Sequence, residues 1–128
     1  MCWSVVKIPS EVIDNVSLGR ANKMVIKEAL CRLKIKPDIA ITDALEVKTI
    51  KSGFASVPIV NGDQLSVSIA AASIIAKVIR DRLMIKYSRS FPCYGFDMNK
   101  GYGTRKHLQS IKEFGICSIH RKSFKNVF

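Results

Sequence analysis

Two short apolar runs, each closing on an aspartate, constrain the fold of this chain more than any other feature. IAIT (39–42) runs into Asp43, and VPIV (57–60) passes through Asn61-Gly62 into Asp63. Short runs rich in Ile and Val read as strands, here IAITDAL over 39–45 and ASVPIV over 55–60. The second is followed by a stretch from Val67 to about Tyr87 that reads as a long helix, with Ser66 or Ser68 as its cap. Strands followed by a long helix belong to an α/β domain, and in open α/β sheets ligands gather beyond the carboxyl ends of strands. Asp43 and Asp63 are therefore candidates for chemistry. Brought together, two carboxylates repel unless a divalent cation sits between them, and hard oxygen ligands suit Mg²⁺ or Mn²⁺. Each also has an ordinary alternative: Asp63 after Asn-Gly can stabilise a turn, and Asp43 can simply end a strand.

The rest of the chain fits the same class. WSVVKI (3–8) predicts a short strand. Ser10 is placed to cap EVIDNV, and Met24, Val25, Ala29, Leu30 and Leu33 recur at helical spacing between Arg20 and Lys34. Glu46 to Phe54 is polar and predicts a turn or hairpin. SRSFPCYGFDMNKGYGT (88–104), with Pro92, Gly95, Gly101 and Gly103, predicts a loop with fixed turns. Thr104 is placed to cap a last helix, RKHLQSIKEF, that Gly115 ends.

Charge divides the chain. Residues 1–76 carry 9 basic and 7 acidic side chains, whereas residues 77–128 carry 12 and 3, a net of +9 out of +11 overall. A field of that sign draws polyanions, nucleic acid first among them, although a basic face can also serve solubility alone. No apolar run is long enough for a membrane span, and no leader is visible, so no membrane partner is expected. Cys2, Cys31, Cys93 and Cys117 are too far apart for a zinc ribbon, and read as reduced thiols in a cytoplasmic protein.

The segment after Asp63 is thin. Ala70, Ala71, Ala72, Ser73 and Ala76 let a backbone approach closely, either to a sheet or to a ligand. Ser73, Lys77, Arg80 and Met84 recur at i, i+4, i+7 and i+11, a row that suits phosphates or, equally, a solvated face.

Taken in order, GDQLSVSIAAASIIAKVIRDRLM, YGFDMNKGYGTRKHL and HRKSF closely resemble ribonuclease HII, the type-2 ribonuclease H family. PDIAITDAL and, more loosely, EVIDNVSLGRANKMVIKEAL extend the resemblance over essentially the whole chain. It implies an RNase H-like α/β fold, a mixed sheet flanked by helices with a helical C-terminal part, as one partial domain over 1–128. Within it, 88–128 would form the basic substrate-binding loop and C-terminal helix. The implied activity is hydrolysis of RNA in RNA–DNA hybrids and incision 5′ of ribonucleotides embedded in duplex DNA, by a Mg²⁺- or Mn²⁺-dependent mechanism, in a monomer once complete. By motif, Asp43 and Asp63 correspond to catalytic metal ligands. Tyr102 corresponds to the tyrosine at the ribonucleotide–deoxyribonucleotide junction. Ser73, Lys77, Arg80 and Lys100 stand beside it as candidate substrate-binding residues.

One departure stands beside the match. The family's first strand carries an Asp-Glu pair in a D-E-x-G-R-G pattern, and these 128 residues contain none; SLGRANK has a Gly-Arg without the acidic pair. The sequence thus reads as starting inside the fold, lacking its first strands. Two readings follow: a metal-dependent endoribonuclease that needs the missing ligands, or a non-catalytic nucleic-acid-binding remnant of the family. A basic structural protein of a ribonucleoprotein particle is disfavoured by the two strand-end aspartates.

Overall fold

The structure, a computed structural model, describes residues 2–47 and 54–124. The polar stretch expected to turn at 46–54 falls largely outside the described residues. The chain divides into two compact units, 1–74 and 75–128.

In the first unit, helices α1 (Ser10–Val16) and α2 (Leu18–Cys31) pack on each other. Ser17 between them takes a left-handed φ of 73°, and its N–H closes α1 on the Ile13 carbonyl at 2.9 Å. Ser10 does not cap α1. It is the first helical residue, Pro9 holds the cap position, and no side-chain cap bond forms. Residues 3–8 are not a strand either, since a strand exists only by pairing and no described strand lies beside them.

Strands β1 (Ile39–Asp43) and β2 (Ala55–Ile59) pair in parallel, with Ile39 opposite Ala55 and Asp43 opposite Ile59. Parallel pairing excludes a β-hairpin between them, because a hairpin returns the chain antiparallel. It also brings both strands to their carboxyl ends at the same edge. Along β1, Ala40 and Thr42 point inward, and the Thr42 hydroxyl is satisfied by the Leu45 carbonyl at 2.7 Å. Ile39 and Ile41 face out, 61% and 38% exposed. Burying an Ile side chain is worth about 1.5–3 kcal/mol, so this bare face withholds stabilisation that a covered sheet would gain.

After β2, a single turn α3 (Gly62–Leu65) leads into the long helix α4 (Val67–Ser90), to which both units contribute residues. Among the described residues no helix is long and apolar enough to cross a membrane. The second unit continues through a 3-10 turn (Pro92–Tyr94), a short α5 (Phe96–Asn99) and α6 (Arg105–Phe114). The expected loop therefore holds two short helical turns. Its core is Tyr94, Phe96 and Ile111, with Met84, Tyr87 and Phe91 against it. Tyr94 and Phe96 stack at 5.5 Å, and the Tyr94 hydroxyl donates to the Gly115 carbonyl at 3.0 Å. Thr104 caps α6 as its sequence implies, accepting the His107 N–H at 3.3 Å. Gly115, at φ 75°, ends it.

Two histidines complete this core. The buried His107 bonds the Tyr94 carbonyl through Nδ1 at 3.1 Å, and its ring stacks on His120 at 5.4 Å. His120 Nδ1 accepts the Cys117 backbone N–H at 3.0 Å, which fixes a neutral ring protonated on Nε2. That Nε2 is buried and finds no partner among the described residues. Burial, and then the neighbouring His107, hold the His120 pKa below its ordinary value, while burial pushes the Cys117 thiol up.

Candidate functional site

The first unit builds a carboxylate corner from the parallel strand ends. Asp43 is the last residue of β1, and its Oδ1 accepts the Gly62 N–H at 2.9 Å. The preceding Asn61 adopts a left-handed φ of 54°, turning the chain from β2 into α3 so that this N–H can reach back. Space at Gly62 is tight. A Cβ would lie 2.6 Å from Ile69 Cδ1 and 3.5 Å from the Asp43 Cα. Asp63 is the next residue, so its Cα is about 3.8 Å, one trans peptide, from that of Gly62. The structure thus brings the two sequence-nominated aspartates to one edge, both solvent-exposed. Ser73 also lies exposed, on α4 in this unit.

As donors for a cation, the pair is well matched in kind. Both are hard carboxylates, and one Asp43 oxygen is already oriented by a backbone N–H, as metal-binding carboxylates commonly are. In number the pair is short: among the described residues no group of three or more His, Cys, Asp or Glu is disposed to hold a metal.

The second unit presents Tyr102, 54% exposed, at the end of a strap that begins at Asn99. Lys100 and Gly101 both take left-handed backbone, φ 50° and 77°. Asn99 secures the turn, its Oδ1 accepting the Gly101 N–H at 2.8 Å and its Nδ2 donating to the Tyr94 carbonyl at 2.7 Å. A Cβ on Gly101 would sit 3.0 Å from Met84 Cε, so this glycine serves close packing on α4. Gly103, by contrast, has open space around it.

The basic residues of α4 turn toward this strap. Lys77 Nζ lies 5.9 Å from the Tyr102 ring centroid and pairs with Asp81 at 3.3 Å. Arg80 places its guanidinium 4.6 Å from the same centroid and donates to the Lys100 carbonyl at 3.0 Å. The Lys100 ammonium itself folds back onto the Asp97 carbonyl. Lys77, Arg80, Lys100 and Tyr102 therefore form one cluster. Asn99 was missed by sequence reasoning, although an Asn two residues before a Gly is a known turn signal. The inward engagement of Arg80 carries no signal in the sequence at all.

Comparison with known proteins follows the same lines. The family model described as Ribonuclease HII matches residues 3–127. The Ribonuclease HII of Acholeplasma laidlawii is 50% identical over 117 residues, covering 91% of this chain and 56% of that protein. That of Syntrophus aciditrophicus is 52% identical over 118 residues, covering 92% and 55%. The chain thus spans about half the length of the curated relatives it matches. The crystal structure of the ribonuclease H2 from Pyrococcus horikoshii superposes with a TM-score of 0.73 over 94% of this chain and 64% of that one. At 23% identity that likeness speaks for the fold, a mixed α/β architecture with a small parallel sheet.

Proposed function

This chain belongs to the ribonuclease HII family, and on that premise we propose that it carries part of a divalent-metal endoribonuclease acting on RNA–DNA hybrids and on ribonucleotides embedded in duplex DNA. The observation that supports the reading is the bond between Asp43 Oδ1 and the Gly62 N–H, which ties the end of β1 to the turn that leads into Asp63. Asp43 and Asp63 would hold Mg²⁺ or Mn²⁺. Such an ion, when bound, supplies the charge that favours deprotonation of a water and stabilises a leaving 3′-oxygen.

The residues of the chain do the rest. Asp43 keeps a fixed orientation through its backbone bond, and Asp63 extends the same edge. Tyr102 offers an exposed ring to the sugar at a ribonucleotide–deoxyribonucleotide junction, where the 2′-OH is the distinguishing group. The net +9 of residues 77–128 draws the phosphate backbone and orients it without reading sequence. Lys77, Lys100 and Ser73 contribute to that grip. We place the working enzyme in the cytoplasm as a monomer completed by an Asp-Glu strand.

A second reading has an observation of its own. The Tyr102 strap is secured on both sides of Gly101, by Arg80 on the Lys100 carbonyl and by Asn99 on the Gly101 N–H, which suits a binding module that does not cut. Incubation of the chain, alone and fused to the Asp-Glu segment of a relative, with Mn²⁺ and a duplex carrying one ribonucleotide separates the two. The enzyme reading expects incision 5′ of the ribonucleotide by the fused protein. Tight binding by both forms with no product from either would leave only the binding module.

A further inference from the structure

Lys100 and Gly101 are consecutive left-handed residues, and the first of them is not glycine. A non-glycine residue holds that backbone only where its surroundings over-determine it. Here the surroundings include Arg80. Its Nη2 binds the Lys100 carbonyl at 3.0 Å, before Gly101 in the chain, and its Cζ lies 4.6 Å from the centroid of Tyr102, after it. Gly101 passes beneath, where a Cβ would approach Arg80 Nη2 to 3.9 Å and Met84 Cε to 3.0 Å. One planar group thus spans the glycine and touches the strap on both sides.

A guanidinium suits this double duty. Its edge donates to a carbonyl while its face lies on an aromatic ring, and an ammonium offers no such face. Lys77, tethered by Asp81 at 3.3 Å, adds a second cation at 5.9 Å from the same ring. Arg80 is half-buried, unlike the exposed Lys77. A side chain engaged in this way is poorly placed to release itself for a phosphate.

We propose that Arg80 is a positioning residue: it sets the Tyr102 ring for the junction sugar and is not itself a phosphate ligand. The proposal rests on the reading that Tyr102 meets the ribonucleotide junction. It predicts that Arg80 governs discrimination between ribonucleotide-containing and all-DNA duplexes while leaving electrostatic affinity alone.

The test uses the 128-residue chain. Affinities for a duplex with one ribonucleotide and for its all-DNA counterpart are measured across a salt series for wild type, Arg80→Lys, Tyr102→Ala and the double variant. NMR spectra of the chain without nucleic acid follow the Arg80 δ-methylene protons, which the Tyr102 ring current should shift upfield. We expect Arg80→Lys to abolish the preference as fully as Tyr102→Ala, with no further loss in the double variant, because the two act as one unit. The salt slope should stay unchanged even in the uncharged Arg80→Gln, and the upfield shift should vanish in Tyr102→Ala. If Arg80→Lys keeps the preference, or if the uncharged Arg80→Gln lowers the salt slope by about one and multiplies with Tyr102→Ala, Arg80 is a phosphate ligand and the proposal is wrong. An Arg80 δ-methylene without an upfield shift in the wild type also overturns it. Should the wild type show no preference at all while the ring-current shift is present, the junction reading of Tyr102 is what fails, and the proposal falls with it. Arg80→Gln, which can still donate to the Lys100 carbonyl but carries no charge, repeats the test should Arg80→Lys fold poorly.

Discussion

The carboxylate of Asp43 accepts the backbone N–H of Gly62 at 2.9 Å, joining the end of one parallel strand to the turn that follows the other. A single hydrogen bond of this kind, with an ionised acceptor, contributes about 1.5–3 kcal/mol. Its larger consequence is geometric, because it fixes where Asp63 begins.

Gly62→Ala should therefore damage both fold and site. The added methyl meets Ile69 Cδ1 at 2.6 Å, so the buried Ile69 side chain or the turn must shift to relieve it. Overpacking of this sort costs about 1–3 kcal/mol. Urea unfolding should show a lowered midpoint with an unchanged slope, and Mn²⁺ affinity should fall in the folded protein. Asn61→Gly, which only relaxes a left-handed residue, should do neither.

Metal binding offers a separate check on the two aspartates. Asp43→Asn removes a charge yet can keep its carbonyl oxygen on the Gly62 N–H, so the fold should survive with little change. Asp63→Asn lies on an exposed turn and should be equally tolerated. Calorimetric titration with Mn²⁺ should show weak binding to the wild type and none to either variant. Equal binding by all three would remove the edge from consideration as a metal site.

Acid should act on the second unit through His120. Burial, then His107, lower its pKa below the ordinary 6.5, so the unfolded chain binds the proton more readily than the folded one. Stability is then fully present above pH 6.5 and is lost as pH falls from there through the folded pKa. Protonation also removes the acceptor that His120 Nδ1 offers to the Cys117 N–H. The thiol of Cys117 has the opposite sense: its pKa is raised by burial, so alkali above the ordinary 9.0 favours the unfolded chain. Unfolding midpoints should peak between these limits. The acid limb should flatten in His120→Asn, whereas an unchanged limb would assign it to other groups.

Much of this was legible because it is local. β1 and β2, the α6 cap at Thr104 and its stop at Gly115 depend on near neighbours in the chain. WSVVKI failed as a strand because β-branched residues report a tendency that only a pairing partner realises. The parallel sense of β1 and β2, which aligns Asp43 with the turn at Gly62, depends on the path between them and leaves no mark in either strand. The exposure of Ile39 and Ile41 could not be foreseen from alternation, which predicts Ile inward and Thr outward. Lys77 and Arg80 were identified by charge and helical spacing. Their meeting with Tyr102 depends on left-handed Lys100 and Gly101 turning a carbonyl toward α4, a relationship spread over 20 residues.

Asp43 and Asp63 are proposed as chemical groups and not merely turn formers. The most direct measurement is the single-turnover rate of incision at a lone ribonucleotide in duplex DNA, with Mn²⁺, by the chain fused to a relative's Asp-Glu segment. Duplex affinity is followed in parallel for the wild type, Asp43→Asn and Asp63→Asn. Metal-dependent incision by the wild type is expected, with loss to background in both variants and duplex affinity within about twofold, since the basic residues proposed to bind phosphate are untouched. Incision at the wild-type rate by either variant would contradict that proposal.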